Sequence, residues 1–147
     1  MNRLTPLDQG EVKDLVTEWF RKLDVHAPMV EILPMLAQEG LSMKFPEGSL
    51  HSLAEFEGWY QGVIRLFFDE VHQVTKCDVT ISGDRANVDL IVKWEASVWK
   101  PPAAHSDRIM LDAYQTWTVE PCPGAGRPVI VRYDVDKLKY HDGSAKL

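Results

Sequence analysis

A histidine, a glutamine and a tyrosine are the residues of this sequence whose types and positions best fit acid–base chemistry: His72, Gln115 and Tyr133. Each lies in a run of alternating apolar and polar residues, and each shares the parity of the apolar side chains. We therefore expect all three to point into the interior. An imidazole can move a proton near neutral pH, and an amide or a phenol can stabilise developing oxyanion charge.

His72 also has a purely structural interpretation, as a hydrogen-bonded core histidine at the start of a strand. The carboxylates of Asp69 and Glu70 precede it closely and could orient its ring. They could equally be the solvated polar end of the helix before them, which is the more ordinary place for such residues.

Aromatic residues are expected around this polar set. Trp94 and Trp117 share the inward parity of their strands, while Trp19 and Tyr60 lie on the apolar stripes of two helices. Such residues could line a pocket for a hydrophobic ligand, because binding pockets are mostly apolar with a few fixed polar groups. They could equally fill the interior as core, because the same alternation predicts both arrangements.

The strand that carries His72 is predicted to pair with the strand after a tight turn at 82–85. Counting outward from that turn places His72 opposite Trp94 on the inner face. The inward parity switches along the first strand, so one extra residue must lie near Thr75 and Lys76. That is the pattern of a β-bulge, which bends a strand.

Two further strands are predicted, at about Asp107 to Glu120 and Val129 to Tyr140. If the connection between them is symmetric, Gln115 lies opposite Tyr133. A buried amide needs a hydrogen-bond partner, and a phenol could supply one.

Helices dominate the first half of the chain. An apolar stripe from Val12 to Leu23 predicts an amphipathic helix, and a short helix at about 28–36 should follow it. Ser52 and Glu55 form a capping box that opens a longer helix, whose apolar stripe continues to Phe68.

The outward face of the predicted sheet carries more large apolar residues than a wet surface needs. A homodimer is the simplest cover for such a face. The residues expected there are Ile91, Trp99, Met110, Tyr114 and Ile130.

Composition excludes several classes of function. A formal net charge of −6 disfavours nucleic-acid binding, which needs clustered lysine and arginine. No apolar run approaches the roughly 20 residues of a membrane helix. The chain of 147 residues fits one domain, spanning 1–147, and its two cysteines favour a reducing compartment such as the cytoplasm.

Neither a metal site nor a cofactor motif is indicated. His26, His51, His105 and His141 fall in or near predicted loops or termini, and none has zinc-ligand spacing to another histidine or cysteine. Dinucleotide, phosphate-loop and nucleophile-elbow motifs do not occur. We therefore expect chemistry without a cofactor.

The order of elements resembles the nuclear transport factor 2-like superfamily, in particular its SnoaL-like, polyketide cyclase-like branch. The motifs that carry the resemblance cover nearly the whole chain and are mostly packing and turn residues. They are Phe56-x-x-Trp59-Tyr60, Phe67-Phe68-Asp69-Glu70-Val71-His72-x-Val74, Gly83-Asp84-x-Ala86 and Val92-x-Trp94-x-Ala96.

The resemblance implies a cone-shaped α+β barrel, in which N-terminal helices pack on a curved, mostly antiparallel sheet with a pocket at its open end. Its members are often homodimers and include polyketide cyclases, ketosteroid isomerases, dehydratases, epoxide hydrolases and non-catalytic binding modules. Isomerase-like members keep an acidic base before a proline, but here Phe45 precedes Pro46. Only His72 matches a position where pocket histidines recur.

Two functions stay open at this point. One is a cofactor-independent cyclase, isomerase or dehydratase that acts on a small hydrophobic, cyclic or polyketide-like molecule through His72. The other is a non-catalytic ligand-binding or dimeric interaction domain with the same pocket. The sequence places only one side chain with a near-neutral pKa inside, so it favours the enzyme only slightly.

Overall fold

The computed structural model describes residues 6–122 and 127–147. Within them, three helices pack against one six-stranded sheet, and a 3₁₀ turn at Leu33–Met35 follows the short second helix. The helices are α1 (Gln9–Asp24), α2 (Met29–Ile32) and α3 (Leu53–Leu66). The strands are β1 (Ser42–Phe45), β2 (Gly48–Leu50), β3 (Phe67–Ser82), β4 (Arg85–Val98), β5 (Asp107–Pro121) and β6 (Pro128–Tyr140).

The sheet has the strand order β2-β1-β6-β5-β4-β3. Neighbouring strands run antiparallel except β1 and β6, which pair in parallel. The α+β architecture expected from the sequence is therefore confirmed. The short strand β2 was not predicted, because its three residues begin at the glycine of the Pro-Glu-Gly turn and carry too little periodicity.

Helix α1 forms where the apolar stripe predicts it. Asp8 caps its first turn by accepting a hydrogen bond from the backbone N–H of Gly10 at 3.0 Å. The six apolar side chains of the stripe are all buried. The helix ends at Asp24, which places this residue and those just after it beside the sheet.

Helix α3 begins at the predicted capping box but ends sooner than predicted. The Ser52 hydroxyl accepts a hydrogen bond from the Glu55 N–H at 3.1 Å. The last helical residue is Leu66, and Phe67 adopts an extended conformation with φ −107° and ψ 145°. Phe67 and Phe68 therefore belong to β3. The prediction placed them in the helix because the apolar pattern continues across the boundary, although the backbone changes from helical to extended there.

The register between β3 and β4 is the predicted one. His72 lies opposite Trp94, and the register shifts between Val74 and Lys76, where the bulge is expected. A second irregularity, between Phe68 and Val71, was not predicted.

The register between β5 and β6 differs from the prediction. Gln115 lies opposite Val135, and Tyr133 lies opposite Trp117. Pairing begins one residue further along β6 than symmetry predicts, and a register shift between Thr118 and Val119 adds one more residue. The prediction failed because an unseen bulge changes the count for every later pair.

Ile130 is a related correction. It was expected on the outward face, but it is fully buried and pairs with Val119 on the inner face. The same register shift reverses the parity of the first residues of β6, so Ile130 packs into the main core beneath the helices.

Candidate functional site

A cavity of about 690 Å³ lies between the helices and the concave face of the sheet. Its wall is mostly apolar, and polar side chains reach it at a few points. The lining side chains that carry a polar group are Glu47, Trp59, Tyr60, Glu70, His72, Trp94, Gln115 and Tyr133. The size and the lining fit a small hydrophobic molecule with one or two polar groups.

His72 is held against Asp24 by two hydrogen bonds. Asp24 Oδ1 lies 2.6 Å from Nδ1 of the His72 ring and accepts the His72 backbone N–H at 2.9 Å. The ring also stacks on Phe20, with centroids 5.0 Å apart. Because the carboxylate binds a proton on Nδ1, the neutral ring has its lone pair on Nε2. Among the described residues, none hydrogen-bonds to Nε2.

The partner of His72 was missed by the sequence analysis. Asp24 is the last residue of α1, at the helix end where the backbone dipole disfavours a negative charge. A carboxylate in that position, just after a strongly amphipathic stripe, is the local signal that could have drawn attention to it. Nothing local connects it to His72, 48 residues away.

Glu70 does not orient His72, and it is not solvated. Its side chain is only 4% exposed, and Glu70 Oε2 lies 2.5 Å from Nε2 of His26. Its other oxygen accepts a hydrogen bond from the Trp94 indole at 3.1 Å. Asp69, next to it, is exposed. The site thus contains a second carboxylate–histidine pair that the sequence did not reveal.

Tyr133 and Gln115 lie together in the cavity wall, although they are not direct cross-strand partners. Burial raises the pKa of the Tyr133 phenol well above its ordinary value, and the neighbouring polar groups of Trp19 and Gln115 lower it by smaller amounts. The phenol therefore stays protonated and can donate. The Gln115 amide oxygen accepts the Trp117 indole N–H at 3.0 Å.

Tyr60 also lines the cavity, but its hydroxyl donates to the Ala27 carbonyl at 2.8 Å. Burial, and then the charge of Glu70, raise its pKa to about 12. Trp94 lines the cavity too, in edge-on contact with Phe67 at 5.1 Å between centroids.

Trp19 and Trp117 were also predicted to contact ligand. Both are almost fully buried, and neither is among the residues that line the cavity. Their rings meet edge to face at 6.3 Å in the core behind the wall. They support the site from behind.

The cavity wall contains acidic side chains. No lysine or arginine is among the described residues that line the cavity, and Glu47 and Glu70 are both carboxylates. Within 6–122 and 127–147, no group of three or more potential ligand residues could hold a metal ion. The electrostatics of the wall disfavour an anionic ligand.

Comparison with solved structures gives extensive backbone similarity at low sequence identity. A nuclear transport factor 2-like superfamily protein from Salmonella enterica has a TM-score of 0.72 at 13% identity, over 93% of this chain and 91% of that chain. A hexachlorocyclohexane dehydrochlorinase, LinA-type3, from Novosphingobium barchaimii has 0.73 at 12%, over 95% and 93%. A protein provisionally assigned as a scytalone dehydratase, from Novosphingobium aromaticivorans, has 0.71 at 13%, over 94% and 88%.

The chain therefore has the fold of the nuclear transport factor 2-like superfamily, as its sequence motifs indicate. No protein-family model and none of the curated proteins compared matches it. In the part of the chain that the structure describes, no helix is long and apolar enough to cross a membrane.

Proposed function

We propose that the protein is an acid–base enzyme that catalyses elimination from a small, neutral, cyclic molecule. The observation that carries this proposal is the Asp24–His72 pair at the wall of an apolar cavity of about 690 Å³. A histidine held on one nitrogen by a carboxylate presents its other nitrogen as a general base. Elimination needs such a base beside the carbon that loses its proton.

The lining of the cavity supports the choice of substrate class. Its apolar wall is compatible with a substrate of one ring or of two fused rings, and Trp94 provides an aromatic surface for them to pack on. An anionic substrate would find no lysine or arginine among the described lining residues to balance its charge. We therefore propose a neutral substrate whose C–H bond is activated by a carbonyl group.

Each polar residue then has a role. His72 Nε2 takes the proton from carbon, and Asp24 stabilises the imidazolium that forms. Tyr133 donates to the developing enolate oxygen, with Gln115 beside it. The leaving group departs from the adjacent carbon. Two of the similar structures are named for elimination enzymes, a dehydrochlorinase and a provisional dehydratase, in agreement with this role.

A racemic bicyclic ketone, 3-hydroxy-1-tetralone, tests the proposal. It is neutral, carries an activated C–H bond next to its β-hydroxyl group, and gives fluorescent 1-naphthol when it loses water. We expect turnover by the wild type and a fall of about 100-fold or more in kcat for Asp24→Asn and His72→Gln. Asp14→Asn, an exposed carboxylate on the same helix, is the matched control and should keep wild-type activity.

Equal rates for wild type, Asp24→Asn and His72→Gln would contradict the proposal. If 1-tetralone still bound with micromolar affinity in that case, the protein would be a non-catalytic ligand-binding module instead.

The assembly and the compartment complete the proposal. We propose a homodimer through the outward sheet face at Ile91, Trp99, Met110 and Tyr114. Trp99 is 51% exposed, and the other three are partly exposed in the single chain, which supports a covered face. The low cysteine content supports action in the cytoplasm.

A further inference from the structure

The pair of His26 and Glu70 has no role in proton abstraction by His72. Its two side chains approach to 2.5 Å, and Glu70 also accepts the Trp94 indole N–H at 3.1 Å. Arg108 directs its guanidinium to the Asp69 carbonyl at 2.7 Å. The same guanidinium donates a second hydrogen bond, at 3.0 Å, to the Ser97 hydroxyl. Among the described residues, His26 is therefore the only hydrogen-bonded partner of Glu70 that can share a proton with it.

The two carboxylate–histidine pairs connect the same two segments in opposite directions. The end of α1 supplies Asp24 and, two residues later, His26, whereas β3 supplies Glu70 and, two residues later, His72. Residues two apart on a strand project from one face, roughly 7 Å apart. Glu70 and His72 both line the cavity, so two acid–base groups face one ligand.

Glu70 also lies between the cavity and a second space at the surface. A second, open depression lies on the other side of it, lined by Asp24, His26, Asp69, Glu70 and Arg108 among others. Glu70 lines both spaces, while His26 lines only the outer one. The His26 side chain is 25% exposed, against 4% for Glu70. A proton from solvent can therefore reach Glu70 through His26 without passing His72.

The backbone on both sides of the pair is unusual. His26 has φ 51° and Asp69, next to Glu70, has φ 50°, which is the left-handed region that residues other than glycine seldom adopt. Such conformations persist where the surrounding structure enforces them and are common at functional sites. Here one of them is His26 itself and the other immediately precedes Glu70.

From this geometry we propose that Glu70, supplied with a proton by His26, is the general acid that protonates a leaving hydroxyl group. This inference rests on the proposed elimination and specifies dehydration. His72 takes the carbon-bound proton, the C–H electrons form the new double bond, and the C–O bond breaks. Glu70 gives its proton to the departing oxygen, which leaves as water. His26 then returns a proton from solvent to Glu70, and His72 releases its own.

The test compares two probes with the same ring system, whose leaving groups differ in their need for an acid. Loss of water from 3-hydroxy-1-tetralone requires a proton on the leaving oxygen, while 3-acetoxy-1-tetralone expels acetate, a stable anion. Both give 1-naphthol. We expect Glu70→Gln and His26→Gln to lower kcat about 100-fold or more for the hydroxy ketone and less than about threefold for the acetoxy ketone. Glu57→Gln and His105→Gln, both exposed, should affect neither probe.

An equal fall for both probes would overturn the assignment, because it would mean that the pair only supports the fold. An unchanged rate for the hydroxy ketone would overturn it as well. If the wild type converted neither probe, the proposed elimination itself would fail.

Nuclear magnetic resonance tests the contact between His26 and Glu70 without turnover. In protein labelled at histidine, the signals of the His26 ring nitrogens should shift in Glu70→Gln, because Glu70 is the hydrogen-bond partner of that ring. His26 signals that stay unchanged in Glu70→Gln would overturn the proton supply from His26 regardless of the kinetics.

Discussion

Asp24 determines which nitrogen of His72 is basic. Its Oδ1 accepts both the ring Nδ1–H and the backbone N–H of the same residue, so the strand and the ring are positioned together. A charge-assisted hydrogen bond of this length resists rotation of the ring. The chemistry of the site therefore depends on a residue that does not line the main cavity.

Tyr133 makes a different contribution, as a donor whose proton is retained. Burial raises the pKa of its phenol, so in the proposed mechanism the group would donate a hydrogen bond to the oxyanion at neutral pH without transferring its proton. Gln115 beside it keeps the phenol oriented within the wall.

Replacing Tyr133 with phenylalanine should remove this donor at little cost to binding. We expect kcat toward 3-hydroxy-1-tetralone to fall about 100-fold while KM changes less than about threefold, since the interaction forms mainly in the transition state. Steady-state kinetics of Tyr133→Phe measure both constants, and Tyr114→Phe on the outward face is the control. An unchanged kcat would assign oxyanion stabilisation to another group.

At the scale of elements, the sequence predicted what local periodicity encodes. The β3–β4 register and the bulge near Thr75 follow from the alternation of side chains and a tight turn of defined length. The apolar stripe of α1 likewise predicted its buried face. For these features the local pattern was sufficient, whereas the irregularity between Phe68 and Val71 in the same strand was not predicted.

What the sequence could not provide comes from contacts between distant segments. Asp24 and His72 are 48 residues apart in the sequence, and His26 and Glu70 are 44 apart. No local pattern predicts either contact. The register of β6 was predicted wrongly because its alternating residues are compatible with either face pointing inward, and the sequence does not show where the bulge lies. His72 was predicted as a site residue, but its partner depends on where α1 docks.

The capping box of α3 should contribute measurably to stability. Ser52→Ala removes the acceptor for the Glu55 N–H, so we expect the free energy of unfolding to fall by about 1 kcal/mol. Urea denaturation followed by circular dichroism measures the change. Ser49→Ala, exposed in β2, should stay within about 0.5 kcal/mol of wild type. Equal stability of Ser52→Ala and wild type would show that the cap is replaced by water.

At the scale of the whole molecule, the two faces of the sheet differ in what they contact. The concave face carries the cavity and packs against the helices. The outward face presents partly exposed large apolar residues, among them Tyr114, which lies opposite Ile91 on β4. Covering this face by a second copy would leave both cavities open, since the cavity belongs to the other side.

A charge on the outward face should therefore prevent association. We expect sedimentation to give twice the chain mass of 16.7 kDa for the wild type and the single mass for Tyr114→Glu. Gln38→Glu, exposed away from this face, should remain dimeric. A wild type that stays monomeric at 100 µM would contradict the proposed homodimer.

The proposed base and the proposed acid both depend on one contact, that between the end of α1 and β3. Asp24–His72 and His26–Glu70 both fasten the same helix end to the same strand, so movement of that end away from the sheet would disconnect base and acid at once. Such movement would leave the hydrogen-bonded strand ladder untouched. The sheet would then stay intact while the proposed elimination stopped, so turnover would report on helix docking more directly than a spectroscopic measure of folded content.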